Sequence, residues 1–252
     1  MLVIAHRGAS AIAPENTLMA IEKAIDMGVD GIEIDVHGVD DEVIVIHDRW
    51  LHRTTSGKGR ISDLSFAELR KLDAGQGQQI PTLWEVMTLV GGRCSLNIEL
   101  KGISDVIPIL RLVDRAVAEL GFSPNQFLLS SFNHHLLFEI KQLRPDLQVG
   151  ALTASCPLDY AAFAAVLQAY SVHIELDFVN PAFVADAKEK GLQVYVYTVD
   201  ELPDMEMLAS WGVDGIFTNV PDRALNFRDN PRLTDVSAAV LISDSSAEDI
   251  NQ

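Results

Sequence analysis

The sequence predicts an α/β chain folded as a (β/α)8 TIM barrel with a small insertion after the second strand. Three observations carry that expectation. Short runs rich in Val, Ile and Leu alternate with amphipathic stretches, the pattern of parallel βα units. Eight such runs can be counted, the number that closes a barrel. Three of them end in ionisable residues: HRG at His6 to Gly8, EID at Glu33 to Asp35 and NIELK at Asn97 to Lys101. A closed barrel packs its interior and keeps its chemistry where the strands end, so charged residues there are site candidates. In mid-strand they would be buried liabilities.

In chain order, the first strand is Leu2 to Ala5, followed by a helix over about Asn16 to Met27 and a second strand over Asp30 to Asp35. The later strands are Ser95 to Leu100, Phe127 to Ser130, Gln148 to Leu152, Val172 to Leu176, Gln193 to Thr198 and Gly215 to Thr218. Helices fall between them at Thr82 to Val90, Ile103 to Leu120, His134 to Leu143, Asp159 to Ala169, Pro181 to Lys190 and Leu202 to Ser210, with a last one after Pro221. An internal echo supports the pattern: GVDGIEID at Gly28 to Asp35 returns as GVDGIFTN at Gly212 to Asn219. In each copy the Gly ends a helix, where glycine takes the left-handed cap cheaply, and a strand starts after the Asp. Phe217 stands where Glu33 does, and Asn219 where Asp35 does, so the strand can be built without either carboxylate. Their presence in the first copy needs another reason.

Residues 36–81 are too long for an ordinary barrel loop. With VIVIHD, the turn residues TTSGKG and a helical stretch near Phe66 to Leu72, they read as a small subdomain over the barrel mouth. Residues 1–228 then form one barrel domain, and 229–252, polar and repetitive in Ser and Asp, read as a mobile or loosely docked tail.

A chain of 252 residues with 48% apolar content can fill a single core. The start runs straight into LVIA with no basic n-region, so no signal peptide is expected, and no run approaches transmembrane length. Cys94 and Cys156 fit no zinc or CxxC spacing and read as small core residues of a cytoplasmic protein. A formal charge of −17 argues against nucleic acid and anionic membrane as partners. Any phosphate substrate would need a local cation cluster or a metal.

Glu33 and Asp35 share one strand face, and Glu99 ends the neighbouring strand, so three carboxylates converge. Uncompensated, they would raise one another's pKa values, which makes a hard divalent cation the natural partner; all-oxygen ligands favour Mg²⁺ or Ca²⁺ over zinc. The alternative is that each carboxylate pairs with a barrel lysine or arginine. His37 shares the face of Glu33 and Asp35 but is placed past the strand, in the loop. His6 closes the first strand and His47 the run Val43 to Ile46, a pair suited to general acid and base. Arg7 and Lys101 add fixed positive charge for an anionic substrate. His52, His134, His135 and His173 belong to no defensible spacing, and neither GKG at Gly57 to Gly59 nor the Gly91 and Gly92 pair is a nucleotide loop.

Read in order, HRG, PENT at Pro14 to Thr17, E-x-D, HD at His47, RTTSGKG at Arg53 to Gly59, LDAG at Leu72 to Gly75, IPTL at Ile80 to Leu83, NIELK, SSF at Ser130 to Phe132, YTV at Tyr197 to Val199 and GVDGIFTN resemble the glycerophosphodiester phosphodiesterase family. The resemblance implies a (β/α)8 barrel with a small insertion that hydrolyses glycerophosphodiesters to sn-glycerol 3-phosphate and an alcohol with one divalent metal. By motif, Glu33, Asp35 and Glu99 look like the metal ligands, His6 and His47 the acid and base, and Arg7 and Lys101 the phosphate contacts. The family's T-x-D-G before HD is here GVDDE, Tyr197 stands where many members have tryptophan, and Asn219 where many have aspartate. The rivals are a non-catalytic phosphodiester-binding barrel and a lipid-directed phospholipase D activity; the first needs no acid and base, and the second sits poorly with an acidic surface.

Overall fold

Along each long strand the side chains alternate between two unlike environments. Val3, Ile32, Ile98, Val149, Val194 and Ile216 are buried in one continuous apolar layer beneath the helices, while their neighbours turn into the lumen. There Ile4, Leu128, Tyr195 and Phe217 form a small apolar cluster, and the buried lumen also holds Glu33, Asp35, Asn97, Glu99, Ser130, Ser171 and His173. This period-two split is what a parallel sheet closed on itself and covered by helices requires.

The computed structural model describes residues 1–230. The elements are β1 (Leu2–His6), α1 (Leu18–Met27), β2 (Gly31–Val39), β3 (Glu42–Val45), α2 (Phe66–Leu69), α3 (Leu83–Val90), β4 (Ser95–Gly102), α4 (Ile107–Glu119), β5 (Phe127–Ser131) and α5 (His134–Leu143). They continue with β6 (Gln148–Thr153), α6 (Ala162–Val166), β7 (Ser171–Glu175), α7 (Pro181–Glu189), β8 (Gln193–Tyr197), α8 (Leu202–Ser210), β9 (Gly215–Thr218) and α9 (Pro221–Asp229). All strands but β3 pair in parallel, and β1 bonds to both β9 and β2, so eight strands close the barrel. The tail expected over 229–252 lies, from residue 231 on, outside the described residues.

The echoed segments behave alike. Gly28 and Gly212 take φ +79, closing the turn out of α1 and of α8. Asp30 then accepts a hydrogen bond from Val3 N–H at 2.8 Å, and Asp214 one from Val194 N–H at 2.6 Å. Each aspartate thus ties the floor of its strand to the neighbouring strand, with Arg228 and Lys188 as counter-ions.

Several boundaries differ from expectation. β2 does not stop at Asp35; it runs to Val39 and folds back through a two-residue turn at Asp40 and Asp41 into antiparallel β3, so GVDDE is a tight hairpin. His37, expected in a loop, is therefore a buried strand residue. The helix expected over Asp159 to Ala169 shrinks to the five residues of α6, and α4 begins at Ile107 rather than Ile103. Cys94 is a core residue as expected, but Cys156 is exposed, because it sits in the loop after β6. Residues 36–81 have a core of their own, Val39, Ile44, Ile46, Leu51, Ile61, Leu69, Ala74 and Ile80. Among the described residues no helix is long and apolar enough to cross a membrane.

Candidate active site

The HRG run ends β1 in a backbone that few sequences could adopt. Arg7 and Gly8 both take positive φ, +59 and +78, and a Cβ on Gly8 would lie 2.6 Å from the Ala20 carbonyl carbon. Only glycine permits that approach of the loop to α1. The turn aims the Arg7 N–H at Glu33 Oε2, 3.0 Å away, and leaves the His6 ring over the lumen.

Glu33 and Asp35 project from β2 and Glu99 from β4, and one oxygen of each lies within 4.8 Å of the others. All three side chains are buried. Asp35 is 3.2 Å from Arg7 Nε and 3.6 Å from Lys101 Nζ, and Glu99 Oε1 is 2.7 Å from Lys101 Nζ. Two cations therefore stand against three carboxylates. Glu33 Oε1 and Asp35 Oδ1 have no hydrogen-bond partner, and Glu99 Oε1 has only the Lys101 ammonium. Burial, then the charges of Asp35 and Glu99, push the Glu33 carboxyl well above the ordinary carboxylate range; burial and Asp35 raise Glu99 despite Lys101. Burial opposes the Lys101 ammonium, but Glu99 and Asp35 hold its pKa above the ordinary value. A trio of buried carboxylates with orphaned oxygens and only partial ion pairing is the donor set that a hard divalent cation takes.

The imidazoles are fixed by different partners. Asn219 Nδ2 donates to Asp200 at 2.7 Å, an acceptor only, which turns Asn219 Oδ1 toward His6 Nδ1 at 2.8 Å. His6 Nδ1 is therefore the protonated nitrogen, and its bare Nε2 faces Glu33 Oε2 at 3.9 Å. Burial, with help from Arg7, brings the His6 pKa down to about 4. His47 follows β3, and its Nδ1 lies 2.5 Å from Asp48 Oδ1. Burial lowers His47 as well, against the pull of Asp35 and Asp48.

Residues 36–81 bring these groups together, and here sequence reasoning missed several members. Arg53 donates to both Asp48 and Glu15, and Glu15 also accepts from Arg7 at 2.8 Å. Burial disfavours the Glu15 charge, but Arg53 and Arg7 prevail and bring its pKa down to about 2. Asn16 clamps Asp35 from the same PENT run: its Nδ2 donates to Asp35 Oδ2 at 2.9 Å and its Oδ1 accepts from Asp35 N–H at 3.3 Å. The PENT tag was the available signal, yet nothing in it says which strand it faces. Of the histidines without a defensible spacing, His173 is a buried lumen residue, bonded to Ser171.

A cleft of about 540 Å³ opens beside His47, Asp48, Trp50 and Lys101, and a small pocket of about 20 Å³ lies under His6, Glu33, Glu99 and Tyr197. The cavity of about 230 Å³ at the opposite end, by Leu2, Gly31 and Ser95, touches none of this chemistry.

The model of the glycerophosphoryl diester phosphodiesterase family matches residues 6–223. A glycerophosphodiester phosphodiesterase of Caldanaerobacter subterraneus is 39% identical over 235 residues, spanning 89% of this chain and 96% of that protein. One of Bacillus subtilis is 34% identical over 248 residues, with 88% and 84% covered. Among solved structures, a phosphodiesterase of Oleispira antarctica in complex with the product sn-glycerol-3-phosphate superposes with a TM-score of 0.83 at 31% identity, covering 91% of this chain and 97% of that one. The buried carboxylates at the strand ends and these likenesses agree, and the chain belongs to the glycerophosphoryl diester phosphodiesterase family of enzymes.

Proposed function

We propose that the chain hydrolyses glycerophosphodiesters, such as glycerophosphocholine or glycerophosphoethanolamine, to sn-glycerol 3-phosphate and an alcohol, with Glu33, Asp35 and Glu99 holding Mg²⁺ or Ca²⁺. The observation that carries this reading is the trio of buried carboxylates gathered at the strand ends, which Arg7 and Lys101 compensate only in part. When bound, the cation supplies positive charge against the phosphate oxygens.

Arg7 and Lys101 take the remaining charge of the phosphate, the Arg7 guanidinium from its place beside Asp35 and Lys101 from the wall of the cleft. His6, with a proton on Nδ1 and a bare Nε2, accepts the proton of the nucleophile that attacks phosphorus, and water supplies the hydroxyl that the phosphate gains as the alcohol departs. His47 is backed by the Asp48 carboxylate, which favours the protonated imidazole, and gives its proton to the departing alcohol. The open cleft beside His47 leaves room for alcohols of different size. In this reading residues 1–228 act as one catalytic unit with 36–81 as its cover, in a cytoplasmic enzyme free of nucleic acid and of stable membrane association.

The experiment is release of glycerol 3-phosphate from glycerophosphocholine, glycerophosphoethanolamine and a lysophospholipid, with and without chelator, with Glu99→Gln as control. Loss of release on chelation and in Glu99→Gln is expected; turnover of the lysophospholipid alone would overturn the soluble-diester assignment.

A further inference from the structure

The lumen-facing row of β2 does not end with the carboxylates. Glu33, Asp35 and His37 follow one another at two-residue spacing, and His37 points at the loop that carries His47. Its Nε2 lies 3.0 Å from the His47 carbonyl oxygen. One residue earlier, Ile46 N–H donates to the Asp35 carbonyl at 2.9 Å. The backbone on both sides of the Ile46–His47 peptide is therefore gripped by β2, the strand that also carries two of the three carboxylates. A carbonyl only accepts, so His37 must carry its hydrogen on Nε2 and leave Nδ1 bare.

The bare side of the ring has a socket made for it. A Cβ on Gly102 would lie 2.2 Å from His37 Nδ1, so no other residue fits there without moving the ring. Gly102 is opposite His37 only because the β2 to β4 register slips: Val36 pairs with Leu100, but His37 pairs with Gly102, and Lys101 is passed over. This bulge does two things. It frees Lys101 from the ladder to reach Glu99 and Asp35, and it sets a residue without a side chain beside the imidazole.

We infer that His37 is a positioning residue: by donating to the His47 carbonyl from within β2, it fixes the acid at a set place relative to Asp35. Asp48 orients the His47 ring, while His37 places the residue that carries it. The inference rests on the assignment of His47 as the acid. Misplacing a reacting group by about 1 Å can cost on the order of a hundredfold in rate, which is enough to select such a device.

The test compares His37→Phe, His37→Gln, Gly102→Ala, His47→Ala and the double variant His37→Phe with His47→Ala, all checked for an unchanged melting temperature and cation affinity. His37→Phe fills the space without a donor, and Gln returns an N–H close to the Nε2 position. The expected result is a kcat lowered about ten- to a hundredfold in His37→Phe with KM changed less than about twofold. Gln should restore most of the loss, Gly102→Ala should reproduce it, and the double variant should be no slower than His47→Ala alone. A His37→Phe enzyme with kcat within about twofold of the parent, beside an impaired His47→Ala, overturns the inference and leaves the acid in place. Failure of Gln to recover kcat also overturns it, because the donor is then not what matters. A fully active His47→Ala removes the assignment on which it rests.

Discussion

β2 and β9 are the same strand built twice, and they end in opposite ways. Both follow a GVDG turn whose aspartate bonds the neighbouring strand, and both send alternate residues into the lumen. At the catalytic end β2 offers Glu33 and Asp35, whereas β9 offers Phe217 and Asn219. Phe217 packs with Ile4, Leu128 and Tyr195 in the small apolar cluster of the lumen, and Asn219 holds the His6 ring. The aspartate turn is thus scaffold, since it survives in both copies, and the residues two and four places beyond Gly31 and Gly215 are where the copies were specialised. One end gathers charge for a cation; the other supplies a neutral amide that fixes a tautomer.

The comparison breaks most sharply at the carboxylates. On the proposed cation role, Glu33→Gln and Asp35→Asn should each lower kcat/KM by about a thousandfold or more, since a lost ligand would take with it several kcal/mol of charge stabilisation. Calorimetry should show weakened cation binding in both. pH gives a second reading of the same site. Without metal, Glu33 has a folded pKa raised above its ordinary 4.5, so its contribution to stability is complete below that value and is lost as pH rises through the raised one. A divalent cation takes over the proton's role, so the rise in melting temperature on adding metal should grow as pH climbs above 4.5; a pH-independent increment would contradict it.

Next come the imidazoles, where His6→Ala and His47→Ala should each cost about a hundredfold or more on an ordinary diester. With a p-nitrophenyl leaving group, which needs no proton, only His47→Ala should recover. Recovery of both or neither would reverse or cancel the division of labour. A smaller effect, about tenfold in kcat, is expected for Asn219→Leu, which keeps His6 but removes the acceptor that orders it. The smallest belongs to the shared turn: Asp30→Ala and Asp214→Ala should each cost about 1 to 2 kcal/mol in a denaturant titration, since each loses charge-assisted hydrogen bonds that are partly exposed. Neither should alter kcat, and a selective loss of activity in one would show that the turns are not equivalent.

The strand ends were the legible part of the sequence. A run of branched apolar residues that closes on an acid pair can be placed because the period-two pattern fixes the face, and so Glu33, Asp35 and Glu99 could be brought together without coordinates. His37 could not, because GVDDE reads as loop chemistry and the antiparallel partner that extends β2 lies beyond the hairpin it forms. The clamps on the site were hidden by distance along the chain. Asn219 meets His6 across 213 residues and Arg53 meets Glu15 across 38, and short polar side chains give no periodic signal of such contacts. Cys156 misled because cysteine is so often buried, while its loop was not recognised as surface.

The comb of side chains on β2 has an evolutionary corollary. Because Glu33, Asp35 and His37 are teeth on one extended strand and His47 is hooked back onto it, the interval between the carboxylates and the His47 backbone is inherited from strand pitch, about 6.7 Å for every second residue. Loop remodelling elsewhere on the rim cannot retune that interval, so descendants of this chain are free to reshape the surrounding loops while the spacing of carboxylates and imidazole stays still.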